Sequence, residues 1–189
     1  KVRSTESYGA KVIVCKSRQE AEERALADLS ESSYLLPPYD HDQVICGQGT
    51  ATLEALQQIE EGMNAVCAPC GGGGHLSGIF LATKGYNSAI SVVGGEPEMA
   101  NDGIRSLEQG SLFRWKNSPK TIADGVRTLS LSERTFQYIK QLDALLPISE
   151  KEILYWYQWL SHLLKLHLEP TAVVGMVAAL QWVKGKSER

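Results

Sequence analysis

The chain of 189 residues carries a formal net charge of −3, with 43% hydrophobic and 22% charged residues. This is a globular composition, long enough for one sizeable domain or a domain with part of a second. The acidic balance argues against nucleic acid or an anionic membrane as partner, and no apolar stretch is long enough to span a bilayer. The opening residues, Lys1-Val-Arg-Ser-Thr-Glu-Ser7, have neither an initiator Met nor the pattern of a secretory signal, so the chain reads as cut or processed.

Taken in order, Lys11–Cys15 is a β-branched run that predicts a strand, and Ser17 can cap a one-sided surface helix carrying Ala21, Ala25, Leu26 and Leu29. Tyr34-Leu-Leu36 predicts a second short strand, closed by Pro37-Pro38. A long helix is expected from Val44 to about Glu60, although Gly47-Gln-Gly-Thr50 inside it costs about 1 kcal/mol per glycine. Close packing, or close approach to a ligand, would justify those glycines. Gly62 ends that helix, and an apolar run from Ala65 to Cys70 predicts a buried strand.

Four glycines follow, Gly71 to Gly74, and then a helix from Leu76 to Lys84 stopped by Gly85. Strand, glycine loop and helix collect free backbone N–H groups at a helix N-terminus, where the dipole favours an anion. Residues 71–75 therefore read as a phosphate cradle. The run is neither a P-loop, having no Gly-Lys-Ser/Thr, nor a dinucleotide fingerprint.

A further apolar strand is expected over Ser88–Gly95, then a polar loop, Glu96 to Asp102, and a short helix around Gly103 to Glu108. Residues 110–130 read as loop, including Thr121-Ile-Ala-Asp-Gly-Val-Arg127. Ser132 caps a helix to about Lys140, Ala144–Ile148 is a short strand, and Ser149-Glu-Lys-Glu152 is a capping box. The helix it opens carries Ile153, Trp156, Leu160, Leu163 and Leu164 on one face, and Pro170 starts the last helix. Alternating strands and helices predict an α/β fold, a mostly parallel sheet with helices on both faces.

Cys67 and Cys70 have CxxC spacing, but both lie in a buried strand and no second pair completes a zinc site. With Cys15 and Cys46 they read as free thiols in a reducing, cytoplasmic setting. Glu96 and Asp102 admit two readings. With a backbone carbonyl they suit Mg²⁺ or Ca²⁺; otherwise they are acidic residues at a helix N-terminus, which spacing alone favours. Asp124 and Glu169 read as turn and cap residues, and His41, His162 and His167 as surface or packing residues. Trp156, Trp159 and Trp182 read as core.

Gly47-Gln-Gly-Thr50, Pro69-Cys-Gly-Gly-Gly-Gly74, Gly95-Glu-Pro-Glu-Met-Ala-Asn-Asp102, Thr121-Ile-Ala-Asp-Gly-Val126 and Glu169-Pro-Thr171 occur in a fixed order. That series resembles the serine/threonine dehydratase and serine racemase family, pyridoxal-phosphate enzymes of fold type II with the tryptophan synthase β-like arrangement. The resemblance implies that Gly71, Gly72, Gly73, Gly74 and the amide of His75 bind the cofactor phosphate. Relatives more often carry Met or Leu at the position of His75. It implies that Gly125 lies beside the pyridine ring, that Glu169 faces the cofactor, and that a cation is held by Glu96, the Ala100 carbonyl and Asp102. The implied reaction is elimination of water and ammonia from L-serine or L-threonine, with racemisation of serine or a related amino acid as the alternative, in a homodimer.

The departures are as informative. The Ser-x-Lys-x-Arg motif that carries the family's Schiff-base lysine does not occur in these residues, nor does the Ser-x-Gly-Asn loop that follows it. Pro37 stands where relatives often have His, and the C-terminal Ser/Gly-rich segment is absent. The expectation is thus a truncated member: residues 1–45 a remnant of the smaller domain, and 46–189 the larger, cofactor-binding domain, incomplete at its C-terminus. These residues alone are expected to be inactive. The remaining alternatives are a non-catalytic cofactor- or metal-binding fragment or homologue, and an unrelated phosphate-binding module.

Overall fold

A computed structural model describes residues 2–59 and 62–187. Two compact units divide the chain, Lys1–Leu36 and Pro37–Arg189. The first contains two helices, α1 (Val2–Ser7) and α2 (Arg18–Ala27). Ser17 caps α2 as expected, its hydroxyl accepting the Glu20 amide at 3.1 Å. The two strands expected here, at Lys11–Cys15 and Tyr34–Leu36, do not form. β-branched residues favour a pleated, half-buried surface, and these have none: Val14 is 78% exposed.

The second unit contains α3 (Asp42–Gln58), β1 (Ala65–Pro69), α4 (Gly74–Tyr86), β2 (Ser91–Pro97), α5 (Asp102–Gln109), α6 (Glu133–Ile139), β3 (Ala144–Ile148), α7 (Glu150–Leu164) and α8 (Pro170–Ser187). Short 3-10 turns occupy Glu98–Ala100 and Asp124–Val126. The three strands form one parallel sheet in the order β1-β2-β3. Successive residues of β2 serve opposite faces, as a period of two requires. Val92 joins a core with Leu76, Ile79 and Phe80 of α4, while Val93 joins one with Val173, Val174 and Val177 of α8. Helices thus cover both faces of a parallel sheet, as the alternation predicted.

Several boundaries shift for identifiable reasons. His41 caps α3, its Nδ1 accepting the Gln43 amide at 3.2 Å, so that helix begins two residues before Val44. Its expected end near Glu60 lies outside the described residues. α4 begins inside the glycine run and passes over Gly85 to Tyr86. β2 starts late because Asn87 closes a turn, accepting the Ala89 amide on its side chain at 3.0 Å. It also ends late, which places Glu96 in the strand rather than in a loop. The capping boxes at Ser132 and Ser149 both form.

Gly49 explains the glycines inside α3. A Cβ there would lie 2.6 Å from the Gly78 carbonyl oxygen, and one on Gly78 would overlap the Ile45 carbonyl. The α3 and α4 backbones touch at this crossing. Gly47, by contrast, faces open space. On α7 the expectation of a buried stripe is only partly met. Ile153 is buried and Trp156 and Leu160 pack against the α8 core, but Leu163 is 61% exposed and Trp159 47% exposed. Trp182 packs on the same core.

Candidate phosphate and cation site

The end of β1 and the start of α4 build the glycine loop. The Cys70 amide donates to the Gly95 carbonyl at 2.8 Å, the last link between β1 and β2 before the chain leaves the sheet. Gly73 then adopts φ +87°, a left-handed conformation that favours glycine, and becomes the N-cap of α4. The Ser77 amide donates to the Gly73 carbonyl at 2.8 Å. The amides of Gly74, His75 and Leu76 precede that bond and are the donors a helix N-terminus leaves without intrahelical partners.

The loop is clamped from behind. The Thr135 hydroxyl donates to the Gly72 carbonyl at 2.9 Å, and the Tyr39 ring lies so close to Gly72 that a Cβ there would overlap it. A Cβ on Gly74 would fall 2.7 Å from the Tyr39 Cα. The Tyr39 hydroxyl in turn donates to the Ser130 carbonyl at 3.3 Å. Neither Tyr39 nor Thr135 stands out in the sequence; both sit outside the motifs and reach the loop only through the fold. The His75 side chain turns outward, its Nδ1 lying 3.0 Å from Gln48 Oε1, and burial lowers its pKa.

The other expected residues gather on one side of the loop. Gly71 abuts the Asp124–Val126 turn, where a Cβ would lie 3.1 Å from the Val126 Cα. The Gly125 amide donates to Thr171 Oγ1 at 3.0 Å, which joins that turn to the start of α8. Glu169, just before α8, is exposed. The ordered stretches 71–74, 124–126 and 169–171 are therefore contiguous. Backbone amides, a helix dipole and glycines clamped from behind fit a phosphate group.

Glu96 and Asp102 lie beneath the loop, both fully buried. Glu96, not Asp102, satisfies the N-terminus of α5, accepting the Gly103 amide at 3.0 Å and the Ile104 amide at 2.8 Å. Burial pushes its pKa up to about 8, reinforced by the charge of Asp102 and opposed by those two amides. Burial likewise pushes Asp102 up to about 7, against the pull of backbone amides and the Trp115 indole. Neither Asp102 oxygen has a well-formed hydrogen bond among the described residues. Ala100 is buried between them in sequence, in the 3-10 turn. Cys70 joins this group from the end of β1; burial pushes its thiol pKa well up, and the two carboxylates add to it. No group of three or more His, Cys, Asp or Glu side chains converges among the described residues, so a cation here would rest on two carboxylates and carbonyl oxygens. Hard cations accept such a set, and orphaned buried carboxylate oxygens are the feature such an ion would satisfy.

Lys84 is not free to act as a nucleophile. Its ammonium donates to the Ile90 carbonyl at 2.8 Å and to Asp143 Oδ2 at 3.1 Å.

Comparison with known proteins agrees across the chain. Residues 1–188 match the family described as pyridoxal-phosphate dependent enzyme. The L-threo-3-hydroxyaspartate ammonia-lyase of Saccharomyces cerevisiae is 40% identical over 183 residues, covering 95% of this chain and 56% of that protein. The serine racemase of Schizosaccharomyces pombe is 37% identical over 182 residues, with coverage of 95% and 56%. Among solved structures, a bacterial-type threonine deaminase superposes with a TM-score of 0.89 at 41% identity, covering 96% of this chain and 61% of that one. The serine racemase of Dictyostelium discoideum superposes with a TM-score of 0.83 at 35% identity, covering 99% of this chain and 60% of that one. The chain thus spans little more than half the length of the curated relatives it matches.

Proposed function

Because the chain belongs to the pyridoxal-phosphate-dependent enzyme family, we propose that residues 71–75 hold the phosphate of pyridoxal 5'-phosphate in an enzyme that eliminates water and ammonia from L-serine or L-threonine. The observation that carries this reading is the clamped glycine loop at the α4 N-terminus, with the 124–126 turn and residues 169–171 beside it. The ammonia-lyase and deaminase relatives favour elimination; the racemase relatives support a second reading, racemisation of serine on the same scaffold.

When bound, pyridoxal phosphate supplies an electron sink that acidifies the α-carbon of an amino acid. The chain's own part is binding and orientation. The amides of Gly71 to His75 hold the phosphate, and the Thr135 hydroxyl and Tyr39 ring keep the loop from moving. Gly125 leaves room for the ring, and Glu169 faces it from the start of α8. Glu96, the Ala100 carbonyl and Asp102 hold Mg²⁺ or Ca²⁺, which neutralises a buried carboxylate pair under the loop. The lysine that captures the cofactor aldehyde belongs to a motif these residues lack, so residues 1–189 alone bind without turning over. The exposed apolar residues of α7, Leu154, Tyr155, Trp159 and Leu163, support self-association as a homodimer. Four free cysteines suit a reducing, cytoplasmic setting. Among the described residues no helix is long and apolar enough to cross a membrane.

Titration with pyridoxal 5'-phosphate and with pyridoxal, followed by calorimetry, tests the reading. Phosphate-dependent binding is expected, weakened by Thr135→Val, which removes the hydroxyl behind Gly72 while keeping its volume. Equal affinity for pyridoxal and its phosphate would overturn it.

A further inference from the structure

A groove of about 660 Å³ opens beside α5, away from the glycine loop, between that helix and residues 113–120. Four of its lining side chains are cations, Arg105, Arg114, Lys116 and Lys120, against one carboxylate, Glu98. This concentration of positive charge occurs on a chain whose net charge is −3.

Arg105 is the organising group. Its guanidinium lies 4.9 Å from the Phe113 ring centroid and 4.5 Å from that of Trp115, the two rings meeting edge to face at 5.1 Å. Its Nε donates to Asn101 Oδ1 at 2.9 Å. The guanidinium is thus oriented by two rings and one hydrogen bond, and no carboxylate pairs with it among the described residues. Its terminal nitrogens carry no hydrogen bond there either. A fixed guanidinium with an unused fork is a pre-organised receptor for an oxyanion.

The facing segment is equally fixed. The Phe113 amide donates to Ser106 Oγ at 2.9 Å, the Trp115 amide to the Leu129 carbonyl at 2.8 Å, and Arg127 Nε to the Pro119 carbonyl at 2.9 Å. Lys116 and Lys120 project from backbone that these bonds hold in place.

We propose that this groove is a binding site for a small, multiply charged oxyanion, seated on the Arg105 fork with Lys116 and Lys120 neutralising the remaining charge. The site is separate from the cofactor cradle and stands whether or not that reading holds. Its volume exceeds that of a single phosphate and suits a diphosphate or a tricarboxylate. Neutralising several charges at once makes such binding salt-dependent.

Calorimetric titration of the protein, saturated with pyridoxal phosphate, uses two probes at low ionic strength: inorganic pyrophosphate and citrate. The arms distinguish phosphate-bearing from carboxylate-bearing ligands, and binding of either that weakens with added salt supports the site. Arg105→Gln is expected to weaken binding by at least about tenfold, and the double variant Lys116→Gln/Lys120→Gln by several-fold. Arg105→Lys, which keeps the charge but loses the fork, is expected to fall between; it also serves if Arg105→Gln does not fold. Binding of neither probe at millimolar concentration would overturn the proposal. So would binding unchanged in both Arg105 variants, because the anion would then be sitting elsewhere.

Discussion

Only a hydrogen separates the Gly103 Cα from the Glu96 carboxylate: a Cβ at this position would stand 2.5 Å from Oε1. The same approach lets the Gly103 amide reach Oε1 at 3.0 Å. Gly103→Ala is therefore expected to push the carboxylate off the α5 N-terminus and lower stability by about 1–3 kcal/mol, from overpacking and a strained buried acceptor. Chemical denaturation of the two proteins reads this directly, and an unchanged midpoint would contradict it.

The buried pair Glu96 and Asp102 sets a pH dependence. Their folded pKa values, about 8 and about 7, lie above the ordinary 4.5 and 3.8. The folded state therefore binds more protons than the unfolded one between those limits. Stability is fully present at the acid end of this window and declines as pH rises from about 4 to about 8. In a chelator, the denaturation midpoint is expected to be lower at pH 8.5 than at pH 5.5. Adding Mg²⁺ or Ca²⁺ should recover it at pH 8.5, and Asp102→Asn should abolish the recovery. A midpoint indifferent to pH and to cation would contradict the expectation.

Asp143 acts in the opposite direction. Burial pushes its carboxyl pKa up, but the Val92 amide at 2.8 Å and the Lys84 ammonium at 3.1 Å outweigh that and hold it below the usual range. Its contribution is present at neutral pH and is lost as pH falls through the depressed pKa, below about 3.8. The side chain is 33% exposed, so the ion pair itself adds little and the amide bond dominates. Asp143→Ala is expected to cost about 1–2 kcal/mol at pH 7, measured by urea denaturation. The loss should be smaller near pH 2.

The glycines of α3 and α4 make a contrast within one motif. Gly47 faces open space, so Gly47→Ala should stabilise by roughly 0.5–1 kcal/mol through helix propensity. Gly49→Ala and Gly78→Ala drive a methyl into neighbouring backbone, which cannot yield as a side chain can, and should each cost about 1–3 kcal/mol or more. Thermal denaturation of the three variants separates these signs.

What was legible in the sequence is what local pattern can encode. The capping boxes at Ser132 and Ser149, the strand Ala144–Ile148 and the junction from strand to glycine loop to helix all depend on neighbours within a few residues. The strands expected at 11–15 and 34–36 failed because a strand needs a partner, and pattern alone does not supply one. At the site, the glycines announced themselves, but Tyr39 and Thr135 did not, because their role depends on a distant stretch of chain. The cap on α5 was misplaced for a related reason. Asp102 occupies the expected position, yet Glu96 reaches the amides from the end of β2.

The supports behind the glycine loop also bear on how the chain folds. The bond from Tyr39 to Ser130 spans 91 positions and that from Thr135 to Gly72 spans 63. Closing such long loops is slow relative to forming α4, whose contacts are local. During refolding, helical circular dichroism should therefore recover first. The capacity to capture a phosphate should lag behind it, arriving only when the two far ends of this unit have found each other.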